Sequence, residues 1–435
     1  MTPQNLPDSP TPPASFRMLL QGRNFRLLWT AGLLSAIGDQ FDLIAFPWLV
    51  LLVTNDPLAV GTVIAIGTIP AVFFMLLGGS LVDRFSPRLI IQISNVARTI
   101  IGVLLAILVL TGVTNIWLLY LFAFVKGVAD SFYYPAQAAI LPSIVPAEQL
   151  RQANTVTQTT VEMSGFVGPM LAGGIIAAFG GTSGGGNAPP DAFGVGIAFA
   201  VLAATFLLST ILIALMRFAQ REAAAMQSAE AQSVWESIRA GIRFVRADTA
   251  MFTLFLLIAG IELFIQGPVG VGIPVLANSQ LPEGALAVGI ISSAFAAGAL
   301  IGAVTAGVLP APKRYLGYIF IATYALSGLL VIPFGFLTNT WVGAALVVII
   351  GLMSGYSNIL FTTWLQSRTP QAMMGRVMSL LMVASIGLSP ISSALSGALI
   401  KLSLGWVFVG AGVLMAALSL LGLLRRELRN LTMPT

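Results

Sequence analysis

The chain has 435 residues, of which 57% are hydrophobic and only 9% are charged, and its mean hydropathy is +0.94. Soluble domains average about 45–50% apolar and about 25% charged residues, so this composition predicts an integral membrane protein. Cysteine and histidine are absent, which excludes disulfides, thiolate nucleophiles, Cys/His metal sites and imidazole acid–base chemistry. Proton handling then falls to Asp, Glu, Lys or Tyr, and we expect neither a cofactor nor a metal.

Twelve segments are apolar and long enough to cross a bilayer, for which a helix needs about 20 residues. Their approximate limits are 27–53, 58–82, 89–111, 116–140, 153–178, 193–216, 250–277, 285–309, 315–337, 341–364, 374–400 and 404–424. Six segments precede the longest charged connection and six follow it. The pattern therefore predicts an all-α integral membrane fold of 12 transmembrane helices arranged as two six-helix bundles.

The other segments set the predicted domain boundaries. Residues 1–23 begin with the polar, Pro-rich run MTPQNLPDSPTPPAS, which is typical of a disordered head rather than of a cleaved signal peptide. A first bundle at 24–217, a linker at 218–248, a second bundle at 249–426 and a tail at 427–435 follow. Within the linker, VWESIRAGIRFVR places apolar residues and arginines on opposite sides of a helix. It predicts either an interfacial helix or a solvated linker helix.

Basic residues are unevenly distributed over the connections. If both termini are cytoplasmic, 18 of the 21 Lys and Arg residues lie on the cytoplasmic side, in agreement with the positive-inside rule. The opposite connections carry Asp56, Asp191, Glu283 and at most Lys401. The basic pI near 9.8 is therefore a topology signal. We expect cytoplasmic termini, a lipid bilayer as partner and no nucleic acid.

The two halves of the chain contain weak internal repeats. LPSIVPAEQL, which begins at Leu141, recurs as LQSRTPQAMM from Leu365, an offset of 224 residues. GSLVDRFSPR from Gly79 has a degenerate counterpart in GVLPAPKR from Gly307, an offset of 228. Both matches fall between corresponding helices of the two halves. They predict two bundles related by an axis along the membrane normal.

The stretch GGSLVDRFSPR resembles the signature that the major facilitator superfamily carries between its second and third helices. It has Ser86 and Pro87 where that signature has Gly and Arg. The remaining signature positions are kept, and they are Gly79, Asp83, Arg84 and Arg88. The resemblance covers the chain from about Asn24 to Arg426.

A second motif lies in the fifth span, where GFVGPMLAGGII is similar to the Gly-Pro-x-x-Gly-Gly antiporter motif of drug exporters, with Ala172 at the first Gly of the final pair. Together with YYPAQAAILPSIVPAEQLRQAN and RTPQAMMGRV, it most resembles the branch of macrolide exporters and related siderophore exporters. The resemblance implies that Gly168, Pro169 and Gly173 form a kinked, closely packed surface. An antiport-specific role and plain packing are both open.

The family resemblance implies an alternating-access carrier, which we expect to be a monomer in the cytoplasmic membrane. It implies that Asp83 and Arg84 lock the cytoplasmic side through contacts with neighbouring helices, and that Gly79 allows these helices to pack closely. The alternative is a short cytoplasmic turn whose charges only fix the topology.

Two carboxylates lie at matching depths of the first and seventh spans. An aspartate at the centre of a membrane helix costs about 2.5–3.5 kcal/mol, whereas each Leu or Val returns only about 0.3–0.6 kcal/mol. Asp39 lies 13 residues beyond Arg26, and Glu262 lies 14 residues beyond Asp248 and 223 positions after Asp39. We therefore predict that Asp39 and Glu262 face a central cavity and that at least one exchanges a proton as the cavity switches sides.

Other charged residues extend this picture. The alternative for each midplane acid is a structural ion pair with Arg98 or Lys126. Lys126 and Asp130 are spaced to pair within one helix, whereas Arg98 needs an acid elsewhere, either Asp39, Asp130 or Glu162. Asp42 is either a second site or part of the outer vestibule. The predicted buried charge network comprises Arg98, Lys126, Asp130 and Glu162, although Glu162 also fits a stretch of helix that protrudes into the cytosol.

The sequence lacks the motifs of membrane proteases and of ATP-driven pumps. An HExxH metalloprotease is impossible without histidine, the G-x-G-D run of intramembrane aspartyl proteases is missing, and no phosphate-binding loop of an ATP-driven pump occurs. We therefore expect a proton-coupled antiporter, not an enzyme, that exports a lipophilic, cationic or macrolide-like drug and confers multidrug resistance. The alternative is an exporter of a particular metabolite such as a siderophore or lysolipid. A non-transporting membrane sensor is the remote alternative.

Overall fold

A computed structural model describes residues 16–82, 86–146, 149–180, 191–216, 234–309, 312 and 314–432. These residues form helices and no strand. The first half contains α1 (Phe16–Gln21), α2 (Arg23–Thr54), α3 (Pro57–Val82), α4 (Pro87–Leu110), α5 (Ile116–Ile144), α6 (Leu150–Phe179) and α7 (Ala192–Ala214). The second contains α8 (Val234–Ala247), α9 (Thr249–Gly267), α10 (Ile273–Gln280), α11 (Ala285–Val308), α12 (Leu316–Val331), α13 (Thr340–Arg368), α14 (Gln371–Ile386), α15 (Ser389–Ile400), α16 (Leu404–Leu421) and α17 (Arg426–Arg429).

Twelve membrane-spanning segments are present among the described residues, and their limits agree with the predicted ones to within a few positions. Two spans are interrupted where the sequence predicted continuous helices. The seventh span joins α9 to α10 through a π-helical turn at Pro268–Gly272, and the eleventh changes from α14 to α15 beside Pro390. Each interruption precedes or contains a proline, which removes one backbone donor from the helix.

The predicted head boundary at residue 23 is too late. Helix α1 already begins at Phe16, and Leu19 is buried in a cluster with Phe25 and Leu28. Leu19 and the partly buried Leu20 hold α1 against the bundle, since burying them removes apolar surface from water. Residues 1–15 lie outside the described part of the chain.

The two halves repeat the same helix pairing. In the first half α3 packs on α5, α4 on α7 and α2 on α6, and in the second half α11 packs on α13, α12 on α16 and α9 on α15. A shared capping motif marks equivalent helix starts, because Asn115 accepts a hydrogen bond from the backbone N–H of Trp117 (2.9 Å) and Asn339 accepts one from Trp341 (2.9 Å). The fold is thus the predicted pair of six-helix bundles.

The bundles meet along two equivalent seams, α3 against α15 and α6 against α11. Glycines allow backbones to touch there. A Cβ atom built on Gly397 would lie 2.6 Å from the carbonyl oxygen of Pro57, and one on Gly173 would lie 2.6 Å from that of Ala285. Such close approach is typical of membrane helix interfaces lined by small residues.

Both seams close toward one end of the molecule, here called the Asp56 end because Asp56 lies in its α2–α3 connection. At this end Lys401 Nζ, from the second half, lies 2.9 Å from Asp56 Oδ2 in the first half. The opposite end, called the linker end, carries the last turn of α7 and helix α8. The described structure is therefore joined across its halves at the Asp56 end.

Candidate functional site

A buried guanidinium organises the candidate site. Arg98 lies near the middle of α4 and its side chain is 1% exposed. It contacts Asp130 of α5 through two nitrogens, with Nε 2.7 Å and Nη2 2.5 Å from Oδ1. The planar fork of arginine suits such a charge-assisted contact in a site shielded from water.

Lys126 completes the pairing of Asp130. It precedes Asp130 by one turn of α5, and its Nζ lies 2.7 Å from Asp130 Oδ2. The same Nζ lies 3.1 Å from Asp42 Oδ2 on α2. Asp130 is consequently held by two cations, whereas Asp42 is held by one.

Asp39 is the least firmly held acid of this group. Its Oδ1 lies 3.6 Å from Arg98 Nη1, which is beyond hydrogen-bond distance. Its Oδ2 accepts a long hydrogen bond of 3.4 Å from the hydroxyl of Tyr134. With 22% of its side chain exposed, compared with 15% for Asp42 and 16% for Asp130, it is also the most accessible of the three acids.

Aromatic rings enclose the guanidinium. The Arg98 Cζ atom lies 4.1 Å from the ring centre of Tyr133, 5.1 Å from that of Phe206 and 5.9 Å from that of Tyr134. These distances favour cation–π attraction, which is stronger where water is excluded. The rings therefore help to keep Arg98 charged and fixed.

The charge cluster, defined as Asp39, Asp42, Arg98, Lys126 and Asp130, contains three acids and two bases. If all five groups are ionised, it carries one excess negative charge. An uncompensated charge is costly in a medium of low polarity. A bound proton on one carboxyl, or a cation from outside, would make the cluster neutral.

Glu262 stands in a different environment. It lies on α9, half-buried, and its Oε2 accepts a hydrogen bond of 2.7 Å from Gln266 one turn later. No Lys or Arg of the described residues lies within 4 Å of it. It follows Asp39 by 223 positions, and the equivalent capping residues Asn115 and Asn339 are 224 positions apart. The two acids therefore occupy nearly corresponding positions of the repeat.

The structure settles the partners that the sequence left open. Arg98 pairs with Asp130 and Asp39, and Lys126 pairs with Asp130 as its spacing predicted. The placement of Glu162 in a buried network is wrong. Its side chain is exposed and accepts a hydrogen bond from Gln158 on the same helix (2.9 Å).

The predicted motif residues differ in how much the structure reveals. Gly168 packs on Gln40 of α2, and Gly173 packs on α11. The carbonyl oxygen of Pro169 would lie 2.5 Å from a Cβ atom built on Gly289. The three motif residues therefore form a close-packed surface. Arg88 donates to the carbonyl oxygen of Ala214 (2.7 Å). Gly79 lies in the last turn of α3, without described surroundings, and two signature residues lie outside the described part of the chain, namely Asp83 and Arg84.

Sequence reasoning missed the tyrosines beside the acids. Tyr134 follows Asp130 by four residues, as Asp130 follows Lys126, so the three share one face of α5. This spacing was a usable signal. Tyr133 and Phe206 carried no such signal, because their contact with Arg98 depends on how three helices pack.

Comparison with known proteins identifies the fold and the family. Residues 28–389 match the family model described as Major Facilitator Superfamily. The chain belongs to the Major Facilitator Superfamily. It is a multi-pass transporter of the cell membrane and not an enzyme.

Individual relatives agree with this membership. The chain is 28% identical to the enterobactin exporter EntS of Escherichia coli over 376 residues, which are 86% of this chain and 85% of the relative. Two solved structures share the fold. A mutant of the nucleoside transporter NupG has a TM-score of 0.71 at 14% identity, covering 92% of this chain and 99% of its own. A bacterial homologue of the iron transporter ferroportin, in an inward-facing state, has a TM-score of 0.67 at 16% identity. The match covers 95% of this chain and 100% of the homologue.

Proposed function

We propose that this superfamily member exports a secreted small organic molecule of the siderophore class from the cytoplasm, driven by proton influx. The observation that carries the export assignment is the similarity to an enterobactin exporter along 86% of the chain. Both chains match over nearly the same share of their lengths, so the similarity includes both bundles and the seams between them.

We further propose that the linker end faces the cytoplasm. The predicted cytoplasmic side holds 18 of the 21 basic residues, which supports this orientation. The contacts between Asp56 and Lys401 and along the glycine seams then belong to the outer end. On this assignment the described conformation is closed to the outside, as expected of a state that takes up cargo from the cytoplasm.

The excess charge of the charge cluster supports proton coupling. With one carboxyl protonated, two carboxylates face two cations and the cluster is neutral, so it can be enclosed away from water. Asp39 is the acid best suited to carry that proton, because Asp130 and Asp42 lie within about 3 Å of fixed cations. In this scheme Asp39 takes a proton from the outer side and releases it to the cytoplasm in each cycle.

A second cargo class, lipophilic cations, is favoured by Glu262. Its carboxylate has no basic partner among the described side chains, and a cationic group of a substrate would supply the missing charge. Near it Tyr324 offers aromatic surface to such a molecule. A drug-exporting function depends on this residue, whereas proton coupling depends on Asp39.

The test compares wild type with Asp39→Asn in a bacterial host that lacks its own siderophore exporter. We expect wild type to restore secretion of a catecholate siderophore, a protonophore to abolish that secretion, and Asp39→Asn to reduce it by about tenfold or more, as expected when an essential proton carrier is lost. The matched control is Glu427→Gln, which removes an exposed carboxylate from α17.

Each outcome separates the parts of the proposal. Secretion by wild type that continues in the presence of protonophore would contradict proton coupling but not export. Absence of siderophore secretion, together with resistance to cationic drugs that Glu262→Gln abolishes, would replace the siderophore with the second cargo class. Activity of Asp39→Asn equal to that of wild type would remove Asp39 from the coupling mechanism.

A further inference from the structure

Helix α8 lies at the level of the membrane boundary on the linker end. It ends at Ala247, and Asp248 caps the first turn of the spanning helix α9 by accepting from the backbone N–H groups of Ala250 (3.0 Å) and Met251 (3.1 Å). Only one residue separates the two helices. Helix α8 therefore cannot extend far from the surface of the bilayer.

One face of α8 packs on the protein. A Cβ atom built on Gly241 would lie 3.0 Å from Leu380 Cδ1 and 3.3 Å from Arg376 Cβ, both on α14. Val245, one turn later, is 4% exposed. Since Arg376 and Leu380 belong to the first three turns of a spanning segment, this contact fixes α8 at the depth where the apolar core of a membrane begins.

The opposite face of α8 is basic and open. Arg239, Arg243 and Arg246 are exposed and recur at helical spacing, and the neighbouring Ile242 is 40% exposed. Among the side chains that the structure describes, no carboxylate lies within 4 Å of these arginines, and the nearby Asp248 pairs with Arg368 at 3.0 Å. Three positive charges thus border an apolar side chain at the membrane surface.

We infer that this basic face of α8 binds the head groups of anionic phospholipids. Lipid phosphates in this position would supply the missing negative charge, while Ile242 would contact the acyl boundary, as in other interfacial helices. The level of the helix, set by its contact with α14, also brings the arginines close to lipid rather than to bulk solvent.

The lipid contact would act on both bundles. Helix α8 packs on α14 and α9 of the second bundle and also touches α3 of the first. Holding α8 at an anionic surface would therefore restrain the movement of α3 relative to α14. Membrane charge would in this way influence the balance between the transporter's conformations.

The experiment uses the natural absence of cysteine. The variant A247C carries a single fluorescent label at the exposed end of α8, and energy transfer to acyl-labelled phosphatidylglycerol or phosphatidylcholine is titrated on the detergent-solubilised full chain. We expect saturable transfer with phosphatidylglycerol only. Adding R239Q, R243Q and R246Q should weaken binding by about fivefold for each arginine removed, as expected for basic residues near an anionic lipid surface.

The matched control is R425Q/R426Q/R429Q, which replaces three exposed arginines at the linker end. It should leave the energy transfer unchanged. Thermal unfolding of both triple variants verifies that the fold is retained. Equal transfer from the two lipids, or equal weakening by the two triple variants, would overturn the assignment and leave a merely solvated face. Displacement of the lipid by polyglutamate at lower concentration than by phosphatidylglycerol would indicate an acidic protein partner and would also overturn it.

Discussion

The two bundles share one architecture but differ in how many ionisable side chains their spans contain. The first encloses the five ionisable groups of the charge cluster, whereas the spans of the second contain one carboxylate, Glu262, and keep their basic residues at or near helix ends. Equivalent helix pairs show the difference directly. Arg98 joins α4 to α5 by an ion pair with Asp130, while Thr323 joins α12 to α13 by a hydroxyl contact of 2.8 Å with Ser357.

This difference indicates that the charges are not needed to hold a bundle together. Buried ion pairs are often no more stabilising than well-packed apolar residues of similar volume. The second bundle achieves the same helix pairing with a neutral contact. The retained charges of the first bundle therefore fit a functional role, which is the basis for assigning proton coupling to that half.

The largest expected effect comes from removing the central cation. Arg98→Met should lower the free energy of unfolding by about 3–5 kcal/mol, because it leaves Asp130 and Asp39 with less positive charge nearby. The matched variant in the second bundle, Thr323→Val, should cost only about 0.6 kcal/mol. Denaturant unfolding in detergent measures both, and similar losses in the two variants would show that the bundles do not differ as described.

The next effect distinguishes two acids within the charge cluster. Asp130→Asn should destabilise by about 1–3 kcal/mol, since it weakens charge-assisted contacts to both Arg98 and Lys126. Asp39→Asn should change the unfolding free energy by less than about 1 kcal/mol, because it removes the excess negative charge. The same unfolding assay applies, and the contrast disappears if Asp39→Asn proves as destabilising as Asp130→Asn.

Much of the fold could be predicted from the sequence, because hydropathy and basic-residue placement are strong signals in membrane proteins. The pair of Lys126 and Asp130 followed from spacing on one helix. The repeat of Asn115 and Asn339 before tryptophan was also visible in the sequence, although its role as a helix cap needed the structure.

The site itself could be predicted only in part. Apolar spans have no strong amphipathic pattern, so the sequence does not determine how each helix is rotated about its axis. This is why Arg98 had three candidate partners and why Glu162 was placed in a network that it does not join. The long contacts of Asp39 with Arg98 and Tyr134 likewise depend on how three helices pack.

A smaller effect is expected for the acid of the second bundle. Glu262→Gln should leave the unfolding free energy within about 0.5 kcal/mol of wild type, because no described cation depends on it. For a lipophilic cation the variant should weaken binding by about fivefold to tenfold, as expected for the loss of a charge–charge attraction of about 1–1.4 kcal/mol. Equilibrium binding of a fluorescent cation measures this change. A neutral ligand of similar size is the control, and equal weakening for both ligands would contradict a charge-specific role.

The smallest effect is expected where the bundles join, at Asp56 and Lys401. Partial burial opposes ionisation of Asp56, but hydrogen bonds from Lys401 and from the backbone N–H of Leu58 hold the pKa of this carboxyl below its ordinary value. The stabilisation is therefore present above the ordinary Asp range and is lost as the pH falls through the lowered pKa. Because both side chains are partly exposed, the pair contributes only about 0.2–1 kcal/mol.

Lys401→Gln should accordingly increase the population opened at the Asp56 end by about 1.5-fold to fivefold. Fluorophores attached in V113C/L402C, whose positions are exposed on opposite bundles at that end, report the opening by energy transfer in nanodiscs. In the labelled protein that keeps Lys401, added salt should also increase the opened population, since screening weakens a partly exposed ion pair. Lys401→Gln should remove this response to salt. Arg429→Gln, at the linker end, is the control for a general change in charge. An unchanged population in Lys401→Gln would mean that the glycine seams alone hold the two unlike bundles together at this end.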